Sequence, residues 1–197
     1  MNKRHFLTTA TVAATTGLMT LRPAMAANHG TQRPALLTVT GAVRQGNREA
    51  FDPVRDQMMG KHGVKFDKAF AFDTVSLHRL PAHTIKPTLE YDNKAHTLSG
   101  PLLTAVLEAA GADMGPGVQL ALRAVDGYNV SLSLAEVSAS RMLVATHLDG
   151  RPMALGGLGP QWAVWDGDRL PQFKDKPVSE RFAQCPWGLY LIEVNKA

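Results

Sequence analysis

A series of short apolar segments, separated by Gly, Pro and Asp, runs through the second half of the chain and most constrains its fold. Val, Leu and aromatic side chains dominate these segments, a composition typical of β-strands. Together with two earlier segments, they predict strands at 36–43, 83–91, 118–125, 128–132, 141–148, 152–155, 161–165 and 187–194. Asp149-Gly150 is typical of a two-residue hairpin turn, so the strands on either side of it should pair.

Helices are predicted singly between these strands. The clearest is 101–110, where Pro101 would lie in the first turn and Gly111 would end the helix. Asp73 can cap a short helix before Pro81. The Ser133-Leu134-Ala135-Glu136 sequence has capping-box spacing and predicts one more helical turn. Single helices in a strand-rich order predict an α+β fold with mixed β-sheets and a few helices.

Residues 1–26 have the three parts of a cleavable secretory signal peptide. Lys3 and Arg4 give the positive start, 6–21 gives a mildly apolar middle, and Ala24-Met25-Ala26 gives a small-residue cleavage site. Threonines interrupt the apolar stretch, which falls short of the roughly 20 apolar residues that a membrane span needs. The start also resembles a twin-arginine signal, so export of a folded or of an unfolded chain stays open. Both routes predict a periplasmic protein with no membrane span in its mature chain.

The rest of the chain has the size of one domain. A disordered leader is predicted at 27–35 and a single domain at 36–197. Removing the signal peptide, with its three positive charges, lowers the formal net charge from +4 to +1, so no nucleic-acid partner is indicated. Cys185 is the only cysteine and can form no internal disulfide, so the domain must be stabilised by packing.

Several segments, in their order along the chain, resemble the molybdopterin-binding domain of sulfite-oxidase-type oxidoreductases in a small, single-domain exported form. They are Leu37-Thr38-Val39-Thr40-Gly41, Phe72-Asp73 with Leu77 and Leu80-Pro81, Ser99-Gly100-Pro101-Leu102-Leu103 with Leu107 and Ala110-Gly111-Ala112, Asp126-Gly127-Tyr128-Asn129-Val130, Ala145-Thr146-His147-Leu148-Asp149-Gly150-Arg151-Pro152-Met153, Gly159-Pro160, and Trp187-Gly188-Leu189 with Ile192-Glu193-Val194. They cover most of 36–194, although 44–71 is longer than the family pattern. The resemblance implies a sulfite-oxidase-like fold.

The chain departs from the enzymes of that family at two points. Those enzymes bind molybdenum through a cysteine thiolate just before the helix that matches 101–110, and here 85–96 contains no cysteine. They also hold the cofactor's phosphate with a basic residue, where this chain has Gly159-Pro160-Gln161-Trp162. Some exported relatives without the cysteine bind reduced pterins and signal to membrane receptors. The resemblance therefore implies a reduced pterin without molybdenum and the periplasmic domain of a receptor as partner, with a molybdopterin-dependent oxidoreductase as the alternative.

A pterin has two adjacent N–H donors at one edge and a flat ring, so its site needs a carboxylate and aromatic surface. The candidate ligand-binding residues are Thr88, Glu90, Tyr91, Asp126, Tyr128, His147, Arg151 and Trp162. Glu90 and Asp126 are the favoured carboxylates, and the aromatic side chains are the ring partners. Ordinary structural alternatives stay open: Glu90 could end a solvated strand, Asp126 could form only a turn, and Tyr128 or Trp162 could belong to the core.

Other kinds of site are not indicated. The histidines have irregular spacings without Cys or carboxylate partners, so neither a metal site nor a catalytic residue is predicted. Cys185, beside Pro186-Trp187, is expected to be a buried and unreactive thiol. A third hypothesis is an interaction module with an empty pocket, whose surface would include exposed aromatic residues at 162–165 and the segment 45–70.

Overall fold

In the computed structural model, which describes residues 33–196, eleven strands form three sheets, with four short α-helices between the strands. The predicted signal peptide and residues 27–32 of the predicted leader lie outside the described residues. The strands are β1 Leu37–Gly41, β2 Ala69–Phe72, β3 Ala82–Ile85, β4 Leu98–Pro101, β5 Gln119–Ala124, β6 Asn129–Ser133, β7 Leu143–Ala145, β8 His147–Leu148, β9 Arg151–Pro152, β10 Trp162–Val164 and β11 Leu189–Asn195. The helices are α1 Gln57–Lys61, α2 Thr74–His78, α3 Leu103–Ala109 and α4 Leu134–Ser140, and a 3₁₀ helix spans Val178–Glu180. The α+β fold with mixed sheets is confirmed at this level.

The largest sheet has the order β2-β1-β11-β5-β6, with β11 at its centre. β1 and β11 run parallel, with Thr38 opposite Leu191, and the other neighbours are antiparallel. Alternate residues of β5, namely Leu120, Leu122 and Ala124, are buried, as expected of a strand with one face on the core. This sheet therefore joins the beginning and the end of the described chain.

The other two sheets have the orders β3-β4-β8-β9 and β10-β7. Gly100 in β4 lies so close to β7 that a Cβ atom there would be 2.1 Å from the Val144 carbonyl oxygen and 2.8 Å from the Ala145 Cα. Only glycine permits this approach of two backbones. The helix predicted over 101–110 is therefore wrong at its start. Pro101 ends strand β4, which is held against β7, and the helix begins at Leu103.

The local turn and cap signals are confirmed. Asp73 and Ser76 exchange both bonds of a capping box at the start of α2. The Ser133 side chain likewise accepts a hydrogen bond from the Glu136 backbone at the start of α4, which is longer than the single turn expected. Asp149 and Gly150 have φ angles of 50° and 76°, as a type I′ turn requires, and they connect β8 to β9.

The strand predicted over 83–91 is wrong in its second half. β3 ends at Ile85, and the chain then forms a loop in which the Leu89 N–H donates to the Lys94 carbonyl at 2.9 Å. Asn93, with φ of 56°, turns the chain at the tip of this loop. We call residues 86–97 the tip loop.

Burial in the core contradicts one part of the interaction-module hypothesis. Trp162 and Trp165 are only 1% and 2% exposed, so the exposed aromatic surface expected at 162–165 does not exist. Part of the segment 45–70 instead covers the main sheet, where a separate apolar cluster joins it to β11. The buried members of that cluster are Met59, Val64, Phe66, Ala69, Tyr190 and Leu191.

Within residues 33–196, no helix is long and apolar enough to cross a membrane.

Candidate ligand-binding cleft

A cleft of about 280 Å³ lies where the tip loop, the turn after β5 and the segment before β11 meet. Its volume suits a small heterocycle, since pockets for drug-sized molecules start near 300 Å³. The cleft is lined by Glu90, Tyr91, Ala124, Asp126, Tyr128, Trp162, Phe182, Ala183, Cys185 and Trp187. Five of the eight candidate residues from the sequence thus lie together, namely Glu90, Tyr91, Asp126, Tyr128 and Trp162. That they contact a ligand stays a prediction.

Aromatic rings form much of the accessible lining. Tyr91, Tyr128 and Trp187 are 57%, 48% and 40% exposed, and they are the large exposed aromatic side chains of residues 33–196. All three line this one cleft. Trp162, by contrast, is buried in the wall, where its indole N–H donates to the Cys185 carbonyl at 2.8 Å. The open aromatic surface is therefore supplied by two tyrosines and by Trp187, which the sequence does not single out as a ligand contact.

The turn at Asp126 holds one of these rings in place. The Asp126 Oδ1 atom accepts the Tyr128 N–H at 2.9 Å, and Gly127 adopts a positive φ of 92° between them. The Tyr128 hydroxyl donates to the Ala183 carbonyl and thereby bridges the turn to the segment before β11. The turn alternative for Asp126 is thus observed. Asp126 is exposed, and its Oδ2 atom accepts no hydrogen bond from the described residues, so the same carboxylate can still accept from a ligand.

The electrostatic character of the cleft is acidic. Glu90 is half-buried and Asp126 is exposed, and no Lys, Arg or His belongs to the described lining. Partial burial, together with the nearby Glu90 carboxylate and Cys185, raises the pKa of Tyr91, which keeps its hydroxyl protonated. Two carboxylates without a cation favour N–H donors on a ligand and disfavour phosphate.

The other three candidate residues lie outside the cleft. The Thr88 backbone N–H and hydroxyl both donate to Asp168 Oδ2 at 2.8 Å, so its side chain is used to fix the start of the tip loop. His147 packs against His78 with ring centroids 5.1 Å apart, and burial and that neighbour lower its pKa. Arg151 is exposed in β9.

Cys185 has an unexpected position. Its burial is confirmed at 3% exposure, and this burial raises the pKa of the thiol. The sequence predicts no place for it in a ligand site, whereas the structure places it in the wall of the cleft. The described residues contain no group of three His, Cys, Asp or Glu side chains that could hold a metal ion.

No protein-family model matches the chain, and no curated protein matches it in sequence. Its fold is similar to the crystal structure of the sulfane dehydrogenase SoxCD from Paracoccus pantotrophus, with a TM-score of 0.54 and 13% sequence identity. The similarity covers 82% of this chain and 38% of that chain, so this chain spans about two fifths of its neighbour's length. At this identity the similarity shows a shared fold alone. It assigns the chain neither to the oxidoreductase family that the sequence resembles nor to the small exported branch of that family.

Proposed function

We propose that this chain is a pterin-binding protein whose cleft holds a reduced pterin without molybdenum. The observation that carries the proposal is that the exposed aromatic rings Tyr91, Tyr128 and Trp187 converge on one cleft with two carboxylates and no cation in its described lining. A flat, uncharged ring with N–H donors at one edge is complementary to that set of groups.

In this proposal, the aromatic side chains and the carboxylates of the cleft make different contacts with the pterin. The aromatic rings cover the faces of the pterin, which removes apolar surface from water. Glu90 and Asp126 accept from its amino and amide N–H groups. A buried donor without an acceptor costs about 1 to 3 kcal/mol, so the carboxylates would set specificity.

In the same proposal the protein works in the periplasm and presents its ligand to the periplasmic domain of a membrane receptor. The signal-peptide pattern of residues 1–26 and the resemblance to exported pterin-binding relatives support this role.

The proposal is tested by titrating the purified protein with tetrahydrobiopterin under anaerobic conditions, with Glu90→Gln and Asp126→Asn as variants. The side-chain amide oxygen in Asp126→Asn can still accept the Tyr128 N–H, so the turn is kept while the charge is removed. We expect at least one variant to bind roughly tenfold more weakly, about 1.4 kcal/mol. Glu108→Gln, which neutralises an exposed carboxylate of α3, is the control and should bind like the unaltered protein. Absence of saturable binding by the unaltered protein, with a native circular dichroism spectrum, would remove the proposal.

A molybdopterin-dependent oxidoreductase is the second candidate, favoured by the fold shared with a dehydrogenase. The residues of the cleft do not fit that group. No described lining residue carries a positive charge for its phosphate, and burial raises the pKa of the Cys185 thiol, the only soft ligand of the described lining. Protein produced with ample molybdate should therefore contain far less than one molybdenum per chain, and Cys185→Ser should bind pterin almost unchanged. Near-stoichiometric molybdenum that falls in Cys185→Ser would favour the enzyme.

A further inference from the structure

Strand β3 lies at the edge of the sheet β3-β4-β8-β9. Its residues pair with β4, from Ala82 opposite Pro101 to Ile85 opposite Leu98. Apart from this pairing, the backbone of Ala82–Ile85 makes no hydrogen bond to another element within residues 33–196. An edge strand of this kind presents unpaired N–H and C=O groups, to which another extended chain can add.

A groove of about 320 Å³ follows this edge and is lined by the consecutive residues His83, Thr84, Ile85 and Lys86. Successive side chains of a strand point to opposite faces of the sheet. A cavity that touches four residues in a row is therefore not confined to one face of the strand. Leu102, Leu143 and Leu170 give the groove an apolar lining.

The charges of this groove are mainly positive. Lys86, Arg141 and Arg169 line it together with a single carboxylate, Asp166, whose Oδ2 atom already lies 3.4 Å from Arg169 Nε. Arg141 is exposed, follows α4 in a left-handed conformation with φ of 50°, and forms no ion pair with any described residue.

We propose that this basic groove binds an acidic, extended segment of a partner protein, which adds to β3 as a further strand of its sheet. Backbone hydrogen bonds to β3 would supply affinity, while alternate side chains reach the leucine lining and the cations. Residues 27–32 of the chain itself contain no carboxylate, so charge complementarity favours a separate partner over this segment. The inference holds whichever ligand occupies the cleft.

The test uses a fluorescent peptide of four Val-Glu repeats and measures its binding by fluorescence anisotropy. Lys86→Glu/Arg141→Glu should weaken binding roughly tenfold or more. Lys61→Glu/Lys65→Glu makes the same change of charge on the exposed surface around α1 and should bind within about twofold of the unaltered protein. A peptide of Val-Lys repeats should not bind.

Two further measurements separate strand addition from plain charge attraction. The peptide should protect backbone amides of residues 82–86 from hydrogen exchange, and N-methylation of its alternate amides should abolish binding. Equal weakening in the two double variants, binding without protection of β3, or the same protection by free glutamate would overturn the proposal. Pterin affinity of the groove variants is measured in parallel, so failure here is distinguishable from failure of the cleft.

Discussion

The cleft and the basic groove have similar volumes, about 280 and 320 Å³, and opposite charge. The cleft combines Glu90 and Asp126 with aromatic rings, whereas the groove combines cations with leucines. Both are built on the same loop, since Lys86 lines the groove and Glu90, four residues later, lines the cleft. Size alone therefore does not decide what each cavity accepts, and the charges that line it select the class of ligand.

The largest expected effect is a loss of stability, caused by a substitution in β4, the strand that pairs with β3 beside the basic groove. A methyl group at Gly100 would meet the backbone of β7, so Gly100→Ala should force β4 away from it and cost about 3 kcal/mol or more in the free energy of unfolding. Urea denaturation measures this loss. Gly157→Ala is the control, because its Cβ would lie 3.6 Å from the nearest neighbouring atom, and it should be nearly neutral. Equal stability of the two variants would show that the close approach of β4 and β7 is not needed.

A smaller effect is expected from giving the cleft a positive charge. Ala183 is exposed in the lining, and only its carbonyl is used by Tyr128, so Ala183→Lys should leave the wall intact. We expect the affinity for a phosphorylated pterin to rise roughly fivefold, about 1 kcal/mol, measured by competition with tetrahydrobiopterin. Asn195→Lys, at the other end of β11, adds the same charge as a control. A comparable rise in both variants would mean that overall charge, and not the cleft, governs the selection.

The smallest expected effect is a pH-dependent change in stability at His96. This residue connects the tip loop, which contributes to both cavities, to the hairpin turn. Its Nδ1 atom lies 2.6 Å from Asp149 Oδ2 in the hairpin turn, and its Nε2 atom lies 3.1 Å from both carboxylate oxygens of Asp92. Hydrogen bonds to Asp149 and Asp92 raise the pKa of His96, and the bonds to His96 lower the pKa values of both aspartates.

The sign of the pH dependence follows from these directions. The raised pKa of His96 means that its stabilisation is complete below about pH 6.5 and is lost as the pH rises through the raised value. The lowered pKa values of Asp92 and Asp149 mean that their stabilisation is present above about pH 4 and is lost as the pH falls. The melting temperature of His96→Gln should therefore fall furthest below that of the unaltered protein between these limits. A difference that does not shrink at pH 9 would contradict this assignment.

Turns and helix caps could be predicted from the sequence, because they depend on residues that are close together along the chain. The Asp149-Gly150 turn and the Ser133 cap are examples, because each is specified within four residues. The helix predicted from Pro101 begins two residues too early, because Gly100 and Pro101 belong to β4, and the reason for a glycine at position 100 is the backbone of β7, more than forty residues away. Local patterns carry no information about that approach.

The site could be predicted only in part for the same reason. Asp126 and Tyr128 lie in one recognisable turn, and Glu90 and Tyr91 are candidates because a pterin needs a carboxylate and an aromatic surface. Trp187 and Cys185 reach the cleft because β11 pairs with β5, with Leu189 opposite Ala124. A contact between such distant segments is set by sheet pairing, which no short motif encodes.

The central position of β11 has a consequence for how the domain is made. β1 with β2 and β5 with β6 form two separate strand pairs until residues 189–195 are inserted between them. The sheet therefore cannot close on a ribosome-bound fragment that ends before this strand, and its pairing of distant segments makes folding slow. Until β11 is in place, the two strand pairs keep unpaired edges to which another chain can add, so this strand also protects the sheet against aggregation.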